Sequence, residues 1–327
     1  MPARKGITVF SAITLAAAAA FVLASLCGAS PSGLPARAAA APPQGGNFSV
    51  PENATMRVSD HVYAIIGFPN IGIVVGNRAT LVVDTGLGPR NGAVAAREAM
   101  KLTKNPNQLL YLTTTHYHPE HASGEAGFPA STILIRDAVQ EKEIETGGMD
   151  RVKRFENNPP MHDFLVPVTG FRPPDIVFDK EATIDLGGVT ARLFWMGPAH
   201  TQGDELIYVE PDRTLLPGDL VMNKVLPSLT DNTGRLDNWI KILAQLRSMQ
   251  IAQIVPDHNA LGDRSILEQE YALLSALQSR ALELKRQGKS ADEAGQMLLA
   301  EFKMKFSDWP NLNGIPNLVS HIYAENP

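Results

Sequence analysis

Cysteine is nearly absent: the 327 residues hold one, Cys27. It lies in an N-terminal apolar run, so a mature chain cleaved beyond it carries none. Such a chain has no disulfide framework, no thiolate nucleophile and no cysteine metal ligand. Positive charge is also in short supply. The formal net charge is −5, and the first 38 residues carry Arg4, Lys5 and Arg37 with no acid, so the remainder is more acidic still. That balance argues against nucleic acid or an anionic membrane as a partner. A small-molecule substrate is the expected partner. With 44% hydrophobic and 19% charged residues, the chain has the composition of a globular protein with one large core or two modest ones. Any metal site in it has to be built from histidine and carboxylate.

The N-terminus reads as an address. Arg4 and Lys5 precede the uncharged run GITVFSAITLAAAAAFVLASLCGAS, which is followed by small residues and LPARAAAAPPQGG. This is the order of a secretory signal, assigned here to residues 1–38, with Ala36-Arg37-Ala38 as cleavage site and a flexible linker over 39–55. Leu26 stands before Cys27 where lipid attachment calls for a small residue. The expected location is the bacterial periplasm or the exterior. The apolar run approaches the roughly 20 residues of a membrane span, so an uncleaved anchor is the alternative, and only then does the protein meet a membrane.

From about residue 55 the pattern is strand-like. HVYAIIGF, IGIVVGN and ATLVVDTG are short β-branched runs punctuated by Gly and Asn, as in hairpins. RNGAVAAREAMKLT has helical spacing, and NQLLYLTTT and STILIR return to strand. A polar helix is expected over about 136–158, and the Pro-rich NNPPMHDFLVPVTGFRPPD is expected to be an irregular loop. A second block of strands runs through IVFDKEATIDLGGVTARLFWMG, with a Gly187-Gly188 turn, and DELIYVEPDRTLLPGDLV. RLDNWIKILAQLRSM reads as a helix opened by Asp237, IAQIVPDHN as a strand, and 264–306 as mostly helix before a loop-rich tail. Two blocks of strands followed by helices predict an α/β fold, a four-layer αββα sandwich over 56–263, with a C-terminal helical extension over 264–327 packed on it.

The chain has eight histidines, and three of them fall in TTTHYHPEHASG, beside one carboxylate. His116 and His118 are two apart after an apolar strand, so in extended backbone both imidazoles leave on one side and can meet one ion. Pro119 ends the extended stretch, and Glu120 and His121 turn toward a neighbouring point, which suits a second ion. His200 in GPAHTQGD, Asp219 in LLPGDLV and His258 in IVPDHN each follow an apolar run, where loops from neighbouring strands converge on one rim.

This ordered set resembles the metallo-β-lactamase fold hydrolases, whose signature appears here as Asp84 in LVVDTG, HYHPEH, His200, Asp219 and His258. The resemblance covers about residues 58–262 and implies an αββα sandwich with zinc at one edge. It implies that His116, His118 and His200 bind a first zinc and that Glu120, His121 and His258 bind a second. Asp219 would bridge the two, and Asp84 would brace the loops. Two zinc ions per chain are expected, with one, or iron, as the alternative. The chain departs from the family at Glu120, one methylene longer than the usual Asp, and at Asp257, where Gly is usual. An acid at 257 either orients the adjacent imidazole through its other N–H or faces solvent.

A metal pair of this kind activates water and polarises a carbonyl, so the resemblance implies hydrolysis of an ester, thioester, lactone or amide. Asp219, standing where β-lactamases carry Cys, is closer to glyoxalase II and lactonase-type branches, so β-lactam hydrolysis is not favoured. Glu120 and Asp219 are the candidate catalytic carboxylates, and Glu120 would serve as general base if a single metal binds. A mononuclear iron or other redox enzyme on the same fold, and a non-catalytic exported carrier of metal or a small molecule, are the alternatives. Phe155, Phe164 and Phe171, the patch Met222–Leu229, and the hairpin tip Phe68-Pro69-Asn70 are candidate walls.

Overall fold

A computed structural model of the chain describes residues 48–229 and 234–327. The signal reading for 1–38 and the linker residues 39–47 lie outside the described residues. Among the described residues, no helix is long and apolar enough to cross a membrane.

The first block of strands, β1 (Thr55–Arg57), β2 (Val62–Ile65), β3 (Ile71–Val75), β4 (Ala79–Val83), β5 (Leu109–Thr113), β6 (Ile133–Asp137) and β7 (Ile176–Phe178), forms one sheet in chain order. β1 to β4 pair antiparallel and β4 to β7 parallel, so the sheet is mixed. The change of sense falls where helix α1 (Gly88–Leu102) carries the chain from β4 back to β5, since parallel neighbours need a crossover. The second block gives β8 (Glu181–Asp185), β9 (Thr190–Trp195), β10 (Glu205–Glu210), β11 (Thr214–Leu216) and β12 (Gln253–Ile254), ordered β12-β11-β10-β9-β8. Only the β11–β12 pair is parallel in this sheet.

Side-chain alternation assembles the layers. On β3, Ile71, Ile73 and Val75 face α1, packing with Val94, Ala95 and Ala99, whereas Val74 faces the second sheet. On β10, Ile207 and Val209 face the first sheet, and Leu206 and Tyr208 face the helices beyond. Both faces of both sheets are therefore covered, which is why β3 and β4 read as unbroken apolar runs. The result is the expected αββα sandwich with added C-terminal helices. The outer helical layer comprises α6 (Leu236–Leu246), α7 (Arg264–Arg286), α8 (Ala291–Lys305) and α9 (Ile315–Glu325). Leu273, Leu277, Leu298, Phe302 and Val319 share one apolar cluster with Leu206 and Leu215 of the second sheet.

Local departures from the sequence reading have identifiable causes. The polar helix starts at Ala138, capped by the Asp137 carboxylate accepting from Val139 and Gln140 N–H; α3 (Ala138–Glu143) passes through a π-helical turn at Ile144–Gly148 into α4 (Met149–Glu156). The Pro-rich segment is no mere loop, because Pro159 and Pro160 occupy the first turn of α5 (Pro159–Leu165), where a missing N–H costs nothing. The C-terminal tail likewise holds α9, again with Pro in its first turn. The strand expected from IAQIVPDHN shrinks to the two residues of β12.

Helix α6 is not opened by Asp237, which sits in its first turn after the cap position Arg235. The capping acceptor comes from α9: the Glu325 carboxylate takes the N–H of Leu236 at 2.8 Å and of Asp237 at 2.9 Å. Long-range capping of this kind leaves no local signal. Glu325→Ala is expected to lower the unfolding free energy by about 1–2 kcal/mol in urea denaturation, the range for losing a helix cap; an unchanged midpoint would show the contact to be dispensable.

Candidate metal centre

Every candidate ligand lies just beyond the carboxyl end of a strand: Asp84 after β4, the histidine cluster after β5, His200 after β9, Asp219 after β11 and His258 after β12. In open α/β sheets this edge is where loops from adjacent strands meet and ligands bind.

The cluster loop is shaped by Pro119. His118 is in extended conformation and caps the helical turn α2 (Pro119–Ala122), with Pro at its first position. The N–H groups of His121 and Ala122 both donate to His118 O at 3.0 Å. That abrupt change from extended to helical backbone carries Glu120 and His121 away from the pair His116 and His118. The ring centroids of His116 lie 4.5 Å from His118, 4.0 Å from His121 and 4.9 Å from His200. Two triads of ligand atoms result, His116/His118/His200 and Glu120/His121/His258, each within 4.8 Å. A third grouping, His116/His121/Asp219, lies between them.

Asp219 spans the gap. Its Oδ2 is 3.4 Å from His200 Nε2, while its Oδ1 is 3.2 Å from His258 Nε2 and 4.0 Å from His121 Nε2. Burial opposes its charge, but the imidazoles of His258, His121 and His200 outweigh this and hold its carboxyl well below the usual carboxylate range. Gly218 makes the approach feasible: its φ is +62°, and a Cβ there would lie 2.9 Å from that of Thr115.

The far side of each imidazole is also fixed. His121 Nδ1 faces two carboxylates, Asp84 Oδ2 at 3.0 Å and Asp257 Oδ2 at 3.2 Å. Thr115 ties both acids together: its N–H reaches Asp84 Oδ1 at 2.7 Å, and its hydroxyl lies 3.0 Å from Asp84 Oδ2 and 2.9 Å from Asp257 Oδ2. Burial disfavours the His121 cation, yet Asp84, Asp257 and Asp219 raise its proton affinity well above the ordinary value. His200 Nδ1 donates to Ser228 O at 2.8 Å, leaving Nε2 for the centre. Of the two readings for Asp257, the structure supports imidazole orientation, but of His121 rather than the adjacent His258.

His116 Nε2, Glu120 Oε2 and His121 Nε2 are buried without a hydrogen-bond partner. An unsatisfied buried polar atom costs about 1–3 kcal/mol, and the imidazole nitrogens and carboxylate oxygens of the overlapping groups His116/His121/Asp219 and Glu120/His121/His258 match the donor set of a divalent cation. The residues therefore fit a metal. Burial and the neighbouring imidazoles hold His116 well below the ordinary histidine range, so it presents a neutral, ligating nitrogen.

Several positioning residues carried no sequence signal. Arg151 of α4 is buried, lies 5.7 Å over the Tyr117 ring and 5.4 Å over Phe155, and donates to His118 Nε2 at 2.7 Å. His118 Nδ1 then faces His200 Nε2 at 3.3 Å. Trp239 of α6 packs on His200 with ring centroids 5.7 Å apart and donates to Leu220 O, next to Asp219. Asn70 is not a wall of the site: its amide donates to Pro256 O and Asn259 O and its N–H to Asp257 O, clamping the His258 loop. Phe68 does reach the site, 4.8 Å from His258 between ring centroids. Phe155, Phe164 and Phe171 pack with Phe48 and Phe68 around Leu87 and Leu165. Asp204 accepts from Ala199 and Thr201 N–H, and Glu143 from Gln202 and Gly203 N–H, so two buried acids hold the His200 loop.

The sequence profile described as the metallo-beta-lactamase superfamily matches residues 65–258. No curated protein matches the chain. Among solved structures, a metallo-beta-lactamase from Pontibacter korlensis is similar at 19% identity and TM-score 0.53, over 68% of this chain and 98% of the other. DIM-1 metallo-beta-lactamase is similar at 18% identity and TM-score 0.54, over 70% and 99%. The inverting sec-alkylsulfatase Pisa1 from a Pseudomonas species matches at 14% identity and TM-score 0.63, over 84% of this chain but 50% of the other, so the chain spans half its length. At these identities the likeness is one of fold.

Asp84→Asn removes one of the two acceptors on His121 Nδ1. Metal titration against a competing chelator is expected to show one site weakened by about 10–100-fold, and two unchanged affinities would remove Asp84 from the centre. A second expectation concerns pH. Burial pushes the Glu143 carboxyl up to about 7, and that of Asp137, also buried, up to about 7. The folded state keeps these protons at pH values where the unfolded chain has lost them. Their contribution is therefore complete below the ordinary carboxylate range and is lost as pH rises through about 7. Unfolding free energy from urea titrations should carry a downward component between about pH 4.5 and about pH 7, and Glu143→Gln should flatten it; an unaltered slope would contradict the assignment.

Proposed function

Because the chain belongs to the metallo-beta-lactamase superfamily, we propose that it is an exported hydrolase that holds two zinc ions and cleaves an ester, thioester, lactone or amide-type carbonyl. The observation that carries this reading is that His116 Nε2, Glu120 Oε2 and His121 Nε2 are buried without a hydrogen-bond partner in residues that fall into overlapping ligand groups with Asp219 and His258.

In this reading His116, His118 and His200 hold one ion and Glu120, His121 and His258 the other, with Asp219 between them. Bound there, the ions would supply a water acidified toward neutral pH and a Lewis acid for the substrate oxygen. The protein's part is positional. Asp219, kept ionised by three imidazoles, would offset the charge of the ions. Asp84, Asp257 and Thr115 keep the His121 proton on Nδ1, so Nε2 stays a ligand. Glu120 is the carboxylate placed to take a proton should only one ion bind. His258 has a side chain 15% exposed, more than His121 or His200, so substrate enters past it and Phe68. The β-lactamase and alkylsulfatase neighbours place lactam and sulfate esters in any substrate panel, while Asp219 in the place of Cys keeps carbonyl esters and lactones first.

The test is metal quantification on the mature protein, paired with chromogenic acyl ester, thioester, lactone, β-lactam and sulfate substrates. About two zinc per chain with acyl or lactone turnover is the expected result, and His118→Ala should lose turnover together with metal. Iron with an oxygen requirement would replace the reading with a redox enzyme. Full metal loading with no turnover of any substrate would leave a carrier.

A further inference from the structure

The loops that bring Asp219 and His258 together are joined by a seam that starts on α7. The loop holding Asp257 and His258 is pinned at its base, where Ile254 and Gly262 exchange N–H···O bonds of 2.7 and 3.1 Å. A Cβ on Gly262 would lie 2.8 Å from a methyl of Ile266 in the first turn of α7. The helix and the base of the His258 loop are therefore one packed unit.

Further along the same helix, Glu270 turns its carboxyl to the other loop. Its Oε2 accepts the N–H of Met222 at 2.6 Å. Met222 is the second residue after the turn Gly218–Leu220, which presents Asp219. The next residue completes the seam: Asn223 Nδ2 donates to Ala260 O at 3.0 Å, and Asn259 Nδ2 donates to Asn223 O at 2.9 Å. Residues 222 and 223, just beyond Asp219, are thus bound to α7 and to the residues just beyond His258. Beside this seam, Asp219 Oδ1 lies 3.2 Å from His258 Nε2.

Packing alone does not account for a carboxyl at position 270. Glu270 is fully buried, on a helix face whose other members, Ile266, Leu267, Leu273, Leu274 and Leu277, belong to the apolar layer over the second sheet. Its Oε1 has no hydrogen-bond partner. Burying a carboxyl with one oxygen unsatisfied is unfavourable, and an apolar side chain of similar length would fill the space without that cost. What only an acceptor supplies is a partner for Met222 N–H. Burial, with the charge of Asp219 behind it, pushes the carboxyl well above the ordinary carboxylate range. The group is then an uncharged acid, with its proton on Oε1 and with Oε2 as acceptor. It holds the loop without setting a second negative charge beneath Asp219.

A different helix holds the same loop from the other side. Trp239 of α6 donates to Leu220 O at 2.9 Å and packs on His200. Helix α6 thus fixes Asp219 relative to His200, and α7 fixes it relative to His258. Resting on the two-metal hydrolase reading, we infer that Glu270 is a positioning residue: through Met222, and together with the Asn223–Asn259 pair, it sets the separation of Asp219 from His258 and so shapes the second ligand group. The C-terminal extension thereby becomes part of the construction of the centre.

The test compares Glu270→Gln, which keeps an acceptor of the same length, with Glu270→Met, which keeps the length and loses the acceptor. Asn223→Ala, on the loop side of the seam, serves should Glu270→Met fold poorly. The first readout needs no metal: the imidazole NMR signals of His258 at fixed pH and the hydrogen exchange of Met222 N–H. Both are expected to change in Glu270→Met and to stay at wild-type values in Glu270→Gln, and the His258 signals are expected to move in Asn223→Ala. The second is zinc titration against a competing chelator. Glu270→Met and Asn223→Ala are expected to weaken one of two sites by about 10–100-fold, and Glu270→Gln neither. An altered Met222 amide with unmoved His258 signals would overturn the proposal, since the contact would then hold the loop without placing the ligands. Equal weakening of both sites in step with a lower urea midpoint would also overturn it, leaving Glu270 a support for the fold alone. A loss in Glu270→Gln as large as in Glu270→Met would assign the effect to charge and overturn it too. Moved His258 signals in a protein that binds one zinc or turns over no substrate would uphold the seam and sink the reading beneath it. Two zinc ions with ester turnover, unaltered in every variant, would do the reverse.

Discussion

The contact of His121 Nδ1 with the paired carboxylates of Asp84 and Asp257 sets the direction in which this centre faces. Two carboxylates buried side by side repel each other: burial, followed by the charge of Asp84, pushes the Asp257 carboxyl well above its ordinary range. The same pair makes His121 hold its Nδ1 proton, and Thr115 supplies the donors that make the arrangement tolerable. With Nδ1 so engaged, Nε2 points at Asp219. Asp84 itself adopts φ +69°, a left-handed conformation that a non-glycine residue keeps only where its surroundings over-determine it. The strain, the like-charge contact and the buried hydroxyl all serve the orientation of one ring.

The second sheet meets that ring from the other side, and its loops are positioned by helices. Trp239 holds the carbonyl of Leu220 and packs on His200, Asn238 donates to Pro198 O, and Arg235 N–H donates to Ala199 O. One turn of α6 thus fixes both the Asp219 loop and the His200 loop. Because Glu325 caps α6 from the last helix, the end of the chain contributes to the geometry of its middle. The helical layer beyond the second sheet is therefore a support for the rim as well as a cover for apolar surface.

What could be read from the sequence followed from pattern. The hairpin runs gave β2 to β4, the two strand blocks gave the layers, and HYHPEH with His200, Asp219 and His258 gave residues that fold to one strand edge. What could not be read depends on distance along the chain. Arg151 is one cation in a polar helix until folding brings it to His118. Asn70 looked like part of a hairpin tip, and only the packing of residues 256–259 against it turns it into a clamp. Asp257 was expected to serve its own neighbour or solvent; adjacency in sequence suggested His258, whereas Gly218 and Thr115 bring it to His121. The prolines at 159 and 160 misled for a different reason, since the residue type that breaks a helix interior is favoured in its first turn.

Glu120 shows how these constraints combine. Placed on an extended strand, a Glu one methylene longer than Asp would overshoot an ion held by His121 and His258. It stands instead in the first turn after Pro119, on α2, where the backbone has already bent back toward the rim. From there its carboxylate lies within ligand range of His121 and His258, buried and with Oε2 unpartnered. The open valences of Glu120, His116 and His121 together weigh against the stability of the protein without a cation by a few kcal/mol, at about 1–3 kcal/mol each. That is a large fraction of the roughly 5–15 kcal/mol that separates folded from unfolded domains. An ion at this rim would thus be coupled to folding as well as to chemistry.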